Sequence, residues 1–192
     1  MKDLRAMAID EEKIRKGVEL LLEGIGEDPN REGLVLTPKR VARMYTDIFS
    51  GVGVAPEEKV SLYTSENNDE MIVVKDIPFY SMCEHHLLPF WGHVSISYIP
   101  GNNQVTGFSS LVRLVDIVAK RPQIQERMTT ELADALVSRL QPLGVMVVIK
   151  ARQLCIAMQG VKRENCETIT SAQRGYLRKQ ITRLEALNLF NG

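Results

Sequence analysis

The densest run of chemically capable side chains is Ser81-Met82-Cys83-Glu84-His85-His86. One thiol and two imidazoles within four residues form a donor set suited to zinc. Structural zinc sites usually carry two such clusters, and here there is one, so a further ligand must come from a distant part of the chain. Cys155 is the natural candidate. It falls in a long strand expected over Val145 to Met158, in which the odd positions Val145, Val147, Ile149, Ala151, Gln153, Cys155 and Ala157 share one face. A free cysteine at such a position also reads as a small buried hydrophobe, and the spacing alone leaves both readings open. Three protein ligands with a fourth corner free would make a catalytic zinc, one that acidifies a bound water.

Several elements must position these groups. Asp10 to Leu22 places Ile14, Val18, Leu21 and Leu22 at helical spacing behind an Asp10 N-cap. Thr37-Pro38 resembles an N-cap and first-turn proline opening a second helix, with Val41, Met44, Tyr45 and Ile48 on one side and Lys39, Arg40 and Arg43 on the other. Residues 50–69 read as a connecting loop. The period then changes. Met71 to Ile77 and Trp91 to Ile99 read as strands, the second with Val94, Ile96 and Tyr98 on one face and His93, Ser95 and Ser97 on the other. Leu111, Leu114, Val115 and Val118 mark a helix, and Pro122 is placed to open another that carries Ile124, Met128, Leu132, Ala135 and Leu136. Val145–Met158 and Thr168–Leu177 are the last strands, followed by a short helix from Lys179 to Leu189. The order β–β–α–α–β–β after a helical arm predicts an α+β fold with a mainly antiparallel sheet. The expected division is an N-terminal helical arm and linker over residues 1–69 and a catalytic domain over 70–192.

Composition narrows the partners. The 192 residues include 24 Lys+Arg and 24 Asp+Glu, for a formal charge of zero. Such a chain has no field to attract nucleic acid or anionic membrane, so an anion must be gripped by a local cluster. Hydrophobic residues at 44% and charged residues at 25% are globular proportions. Three widely spaced cysteines argue against a disulfide framework and for a reducing compartment. The first residues lack an apolar core, so no signal peptide is expected. The longest stretch free of Asp, Glu, Lys and Arg, His85 to Val112, contains Pro89, Pro100 and three glycines and does not read as a membrane span. A cytoplasmic protein is expected. Cys166 reads as a spectator thiol, and His93 as a strand-face residue.

The segment FYSMCEHHLLPFWG (Phe79 to Gly92) resembles the zinc-binding signature of GTP cyclohydrolase I. The resemblance continues in family order through TPKRVARMY (Thr37 to Tyr45), RPQIQERMT (Arg121 to Thr129) and the second-cysteine strand, ending near TSAQRG (Thr170 to Gly175). It implies the tunnelling fold: a four-stranded antiparallel sheet with two helices, five copies closing a barrel and two barrels forming a homodecamer. It further implies that Cys83, His86 and Cys155 hold Zn2+. His85 would be the general acid/base as water attacks C8 of the purine, Gln125 and Glu126 would recognise guanine, and Ser109 would assist the sugar rearrangement. Arg113, with Arg40 and Arg43 from a neighbouring arm, would contact triphosphate. The implied substrate is a guanine nucleotide, the full products are 7,8-dihydroneopterin triphosphate and formate, and the implied pathway is tetrahydrofolate biosynthesis. Singly, Arg40, Arg43, Arg113, Gln125 and Glu126 also read as ordinary solvated helix residues.

Three positions depart from the family pattern. Gln153 stands where the pattern has histidine, Ser110 where it has lysine, and Gln159 where it has arginine. Glutamine cannot transfer a proton near neutral pH, and a missing general acid/base typically costs about 10²–10⁴-fold in rate. Losing two cations weakens a triphosphate grip, each charged hydrogen bond being worth about 1.5–3 kcal/mol. These departures leave three readings: the complete cyclohydrolase; a divergent paralogue that stops at a ring-opened formamidopyrimidine or takes a less phosphorylated purine or pterin; and a non-catalytic subunit that binds purine or pterin or regulates active subunits.

Overall fold

The structure is a computed structural model that describes residues 9–65, 70–159 and 166–192. Residues 66–69 of the expected linker and the continuation of the Met158-Gln159 stretch lie outside the described residues.

Helix α1 (Glu11–Gly24) starts where Asp10 accepts a hydrogen bond from the Lys13 amide at 3.0 Å, satisfying a first-turn donor as expected. Helix α2 (Thr37–Ile48) packs against it. Thr37 does not cap α2. Leu36 already has helical angles (φ −97°, ψ −7°), and the Thr37 amide donates to Leu34 O, so the helix grows out of a preceding turn with Thr37 inside it. The arm meets the rest of the chain through the Asp47–Lys120 ion pair (2.6 Å) and the Gly51 amide on Lys120 O (2.8 Å).

The short strand β1 (Leu62–Thr64) comes next, then β2 (Ile72–Cys83), β3 (Pro89–Ile99) and β4 (Gln104–Thr106). Beyond β3 the chain reverses through Asn102 and Asn103, both left-handed (φ 53° and 55°), as a two-residue primed turn requires. β4 pairs with β1, so the stretch just before residue 66 is joined to the sheet domain, and Val60 is in its core. Helix α3 (Phe108–Ala119) follows, then β5 (Pro122–Gln123) and helix α4 (Gln125–Leu140). Pro122 does not open α4. With Gln123 it runs parallel to Met82–Cys83, and the helix begins after an extended Ile124.

Strand β6 (Gly144–Gln153), the one-turn helix α5 (Leu154–Ala157), β7 (Thr168–Gly175) and helix α6 (Gln180–Asn191) complete the order. The sheet runs β5-β2-β3-β6-β7, and its four long strands are antiparallel, as expected for the α+β class. The penultimate strand stops five residues before its expected end. Its partner β7 begins opposite Ala151, and β3 last pairs at Gln153. With no ladder left to join, Leu-Cys-Ile-Ala, all compatible with a helical turn, closes one through Met158 N to Leu154 O.

Sheet parity sorts the two cores. Val94, Ile96, Tyr98, Val145, Val147 and Ile149 face α3 and α4, where Leu111, Leu114, Met128 and Leu132 are fully buried. Met146 and Val148 point the other way and are covered by Leu177, Ala186 and Phe190 around α6. The ends of β2 and β6 and the start of α4 therefore converge at one rim of the sheet.

Candidate metal centre

At that rim β2 delivers Cys83, the turn after it delivers His85 and His86, and α5 delivers Cys155. The turn is closed by Leu87 N on Cys83 O and Cys83 N on Leu88 O, with Leu87 left-handed (φ 51°). The donor atoms of Cys83, His86 and Cys155 all lie within 4.8 Å of one another, with Cys83 Sγ and His86 Nδ1 at 3.8 Å. Metal bonds of ~2.3 Å to sulfur and ~2.0–2.1 Å to nitrogen put tetrahedral donors about 3.5–3.8 Å apart, so this triplet fits a zinc-sized cation after little adjustment. Burial, and next the adjacent Cys83 sulfur, push the Cys155 thiol above its ordinary pKa. Two sulfurs crowded in one pocket repel as thiolates, and a divalent cation removes that conflict.

Cys155 reaches the site from a helical turn, not from a strand face. Gln153, at the end of β6, still lines the same pocket, with its Oε1 3.7 Å from Cys155 Sγ. The pocket, of about 170 Å³, is also lined by His85, Gln123, Gln125 and Glu126. His85 is largely exposed, its Nε2 3.8 Å from Glu84 Oε1.

Gln125 is buried, and its amide is fully engaged. Nε2 donates to Ile149 O (3.1 Å), Thr168 O (2.9 Å) and Thr170 Oγ1 (3.2 Å), while Oε1 accepts from Gln153 Nε2 (3.1 Å). Two backbone carbonyls cannot reverse, so Gln125 must present its oxygen to Gln153. Gln153 must in turn aim its own oxygen at Cys155. Glu126, the next residue, is exposed at the pocket edge.

The remaining predicted residues do not line this pocket. Ser110 is buried at the start of α3, where its Oγ accepts from Arg113 Nη2 (3.2 Å) and the Ser61 amide (3.4 Å). Ser109, Arg113, Arg40, Arg43 and Gln159 are exposed elsewhere, and Arg40 and Arg43 form no ion pair among the described residues.

Residues 14–191 match the family described as GTP cyclohydrolase I. The chain belongs to the GTP cyclohydrolase I family. It is 54% identical over 184 residues to GTP cyclohydrolase 1 of Pelotomaculum thermopropionicum, covering 95% of this chain and 98% of that one. Against the Carboxydothermus hydrogenoformans protein of the same name the identity is 53% over 182 residues (94% and 95% covered). Against that of Clostridioides difficile it is 51% over 183 residues (94% and 96%).

Sequence reasoning assigned no role to three residues beside this family's metal-binding segment. Arg127 bonds to Glu84 Oε2, to Pro122 O (3.0 Å) and to Gln123 Oε1 (3.0 Å). Its guanidinium holds the Glu84 carboxyl below the ordinary range. Gln123, fully buried, donates to Val118 O (3.1 Å) and Glu131 (2.8 Å). The i, i+4 spacing of Gln123 and Arg127 was the available signal.

Proposed function

We propose that this chain is a zinc-dependent GTP cyclohydrolase I that opens the imidazole ring of GTP. The observation that carries the reading is the convergence of Cys83, His86 and Cys155 beside His85 in one pocket. Relatives named GTP cyclohydrolase 1 along nearly their whole length support it. Zinc bound by the three ligands supplies Lewis acidity, which makes water a usable nucleophile near neutral pH.

The chain's own residues do the rest. His85, exposed and able to turn, moves protons to and from the opening ring. Glu126, one residue past the anchored Gln125, accepts from the N–H edge of guanine, and the Gln125–Gln153 pair forms the wall behind it. Arg113, with Arg40 and Arg43 brought from a neighbouring copy, meets the triphosphate, and Ser109 lies toward the ribose end. Ser110 and Gln159 add no charge there, so the phosphate grip rests on the arginines. These roles call for a neighbouring copy, as in a homodecamer of two pentamers, because the exposed cations of α2 do not line their own metal pocket. The complete reaction converts GTP and water to 7,8-dihydroneopterin triphosphate and formate. A cytoplasmic enzyme feeding tetrahydrofolate synthesis is the corresponding setting.

One observation favours a second reading. Gln153 faces the metal ligands with an amide that Gln125 holds in place, and an amide transfers no proton. Without a second imidazole at position 153 beside His85, GTP and water would yield the ring-opened formamidopyrimidine, its formyl carbon retained. Incubating the zinc-loaded protein with GTP and following formate and product mass tests both. A pterin with one formate supports the complete enzyme, and a hydrated nucleotide without formate supports the arrested one. Unchanged GTP and absence of zinc would refute both.

A further inference from the structure

Among the described residues, the turn that carries two of the three candidate ligands is held to α4 by one side-chain link. Glu84 lies between Cys83 and His85, and its carboxylate points away from the pocket onto Arg127. Arg127 is itself fixed: its Nε donates to Gln123 Oε1, a second nitrogen reaches Pro122 O, and Glu131 Oε1 lies 3.8 Å from Nε. Gln123 cannot turn, because its Nε2 is committed to Val118 O and Glu131. Its carbonyl accepts from the Glu84 amide at 3.0 Å, continuing the pairing of Cys83 with Gln123.

Glu84 is thus gripped twice, by backbone at Gln123 and by side chain at Arg127. Its other oxygen, Oε1, faces His85 Nε2. Without the side-chain grip the turn would keep the Glu84 amide on Gln123 O and its own backbone bonds around a left-handed Leu87, and its side chains would lose their tie to α4. His86 has no hydrogen-bonding neighbour besides Cys83 Sγ among the described residues.

We propose that Arg127 is a positioning residue which, through Glu84 and braced by Gln123, fixes the Cys83–His86 turn against the first turn of α4 and so presets the metal ligands relative to Glu126. The proposal rests on the metal site of the proposed function. It differs from a surface ion pair in its consequence. Exposed pairs contribute ~0–1 kcal/mol to stability, whereas groups that orient metal ligands typically change metal affinity about 10–100-fold.

The test uses the full chain and its variants Arg127→Gln, Arg127→Lys, Glu84→Gln and the double variant Arg127→Gln/Glu84→Gln. Zinc affinity is measured by competition with a chromophoric chelator, and the melting temperature is taken without metal. Both Gln variants are expected to weaken zinc binding about 10–100-fold, with metal-free melting shifted by no more than ~2–4 °C. Lysine is expected not to rescue, since a single ammonium cannot span Glu84, Pro122 O and Gln123 together. The double variant is expected to be no weaker than either single one, because both break the same link. Wild-type affinity in Glu84→Gln, an isostere that preserves the fold, overturns the proposal, as do additive losses in the double variant. Zinc binding by the wild type with unaffected variants refutes this inference alone. Failure of the wild type to bind zinc refutes the metal site as well.

Discussion

Replacing Gln125 by methionine should act on stability before it acts on substrate. The side chain is buried and near-isosteric with methionine, so little volume changes. What disappears is a donor serving Ile149 O, Thr168 O and Thr170 Oγ1 and an acceptor for Gln153 Nε2. Neutral hydrogen bonds are each worth about 0.5–1.5 kcal/mol, and a buried group left without a partner costs about 1–3 kcal/mol. Thr170 keeps Thr129 as a partner at 2.7 Å, and Gln153, half-buried, can turn to water. The loss is therefore concentrated on the bonds to the two carbonyls, and about 3 kcal/mol follows as the upper end for two neutral hydrogen bonds. For a chain of this size that is ~6–12 °C in melting temperature. Thermal and urea unfolding at fixed protein concentration, without nucleotide, measure it, since mass action from assembly would otherwise intrude. A shift below about 1 kcal/mol would refute the assignment of Gln125 as an amide anchored in the sheet. A rise in KM for GTP at unchanged stability would give it to base recognition instead.

Three further outcomes follow from the same contacts. Cys155→Ala should abolish stoichiometric zinc in elemental analysis while the metal-free protein melts close to wild type, because the thiol lies half-buried on a one-turn helix with no ladder to lose; retention of one zinc per chain would remove Cys155 from the ligand set. Gln153→His should leave zinc content unchanged and increase formate release relative to ring opening, by up to the about 10²–10⁴-fold typical of a general acid/base; an unaltered product ratio would locate the limiting step elsewhere. Gly92→Ala should destabilise by roughly 1–3 kcal/mol in urea unfolding, since an added Cβ would lie 1.9 Å from Lys150 O where β3 pairs with β6 two residues from the pocket-lining Phe90–Gln153 pair, and a neutral effect would show that the strands can separate.

The contents of the site were legible in the sequence because ligand chemistry is a property of residue type. Cys83, His85 and His86 announced themselves by spacing, and the α+β order by the switch from helical to alternating periodicity. What was not legible depended on where pairing stops. Strand parity placed Gln153 and Cys155 on a common face, but parity applies only while a neighbouring strand continues. β7 and β3 both end near Gln153, so Cys155 arrives on a helical turn. Pro122 carries the signature of a helix start and instead pairs with Met82, because the edge of β2 offers it a partner that no local rule reveals.

The same distinction separates the side chains that do chemistry from those that hold them. Gln125 and Gln123 occupy similar positions, each buried, each with its amide nitrogen fixed by a backbone carbonyl, and each turning its oxygen toward one further side chain, Gln153 in the metal pocket and Arg127 behind it. Gln125 directs Gln153 toward Cys155, and Gln123 directs Arg127 toward Glu84 beside Cys83. Two amides anchored in the sheet region thus act next to the two cysteine ligands, one on Cys155 through Gln153 and one on Glu84, the neighbour of Cys83. Exposed His86 has no comparable tether of its own, so the affinity of this site for a cation depends on how rigidly the braced Cys83–His86 turn presents its ligands. Weakening the Gln123–Arg127–Glu84 relay should therefore be felt first as weaker metal binding and only secondarily as a change in the turnover of the protein that keeps its metal.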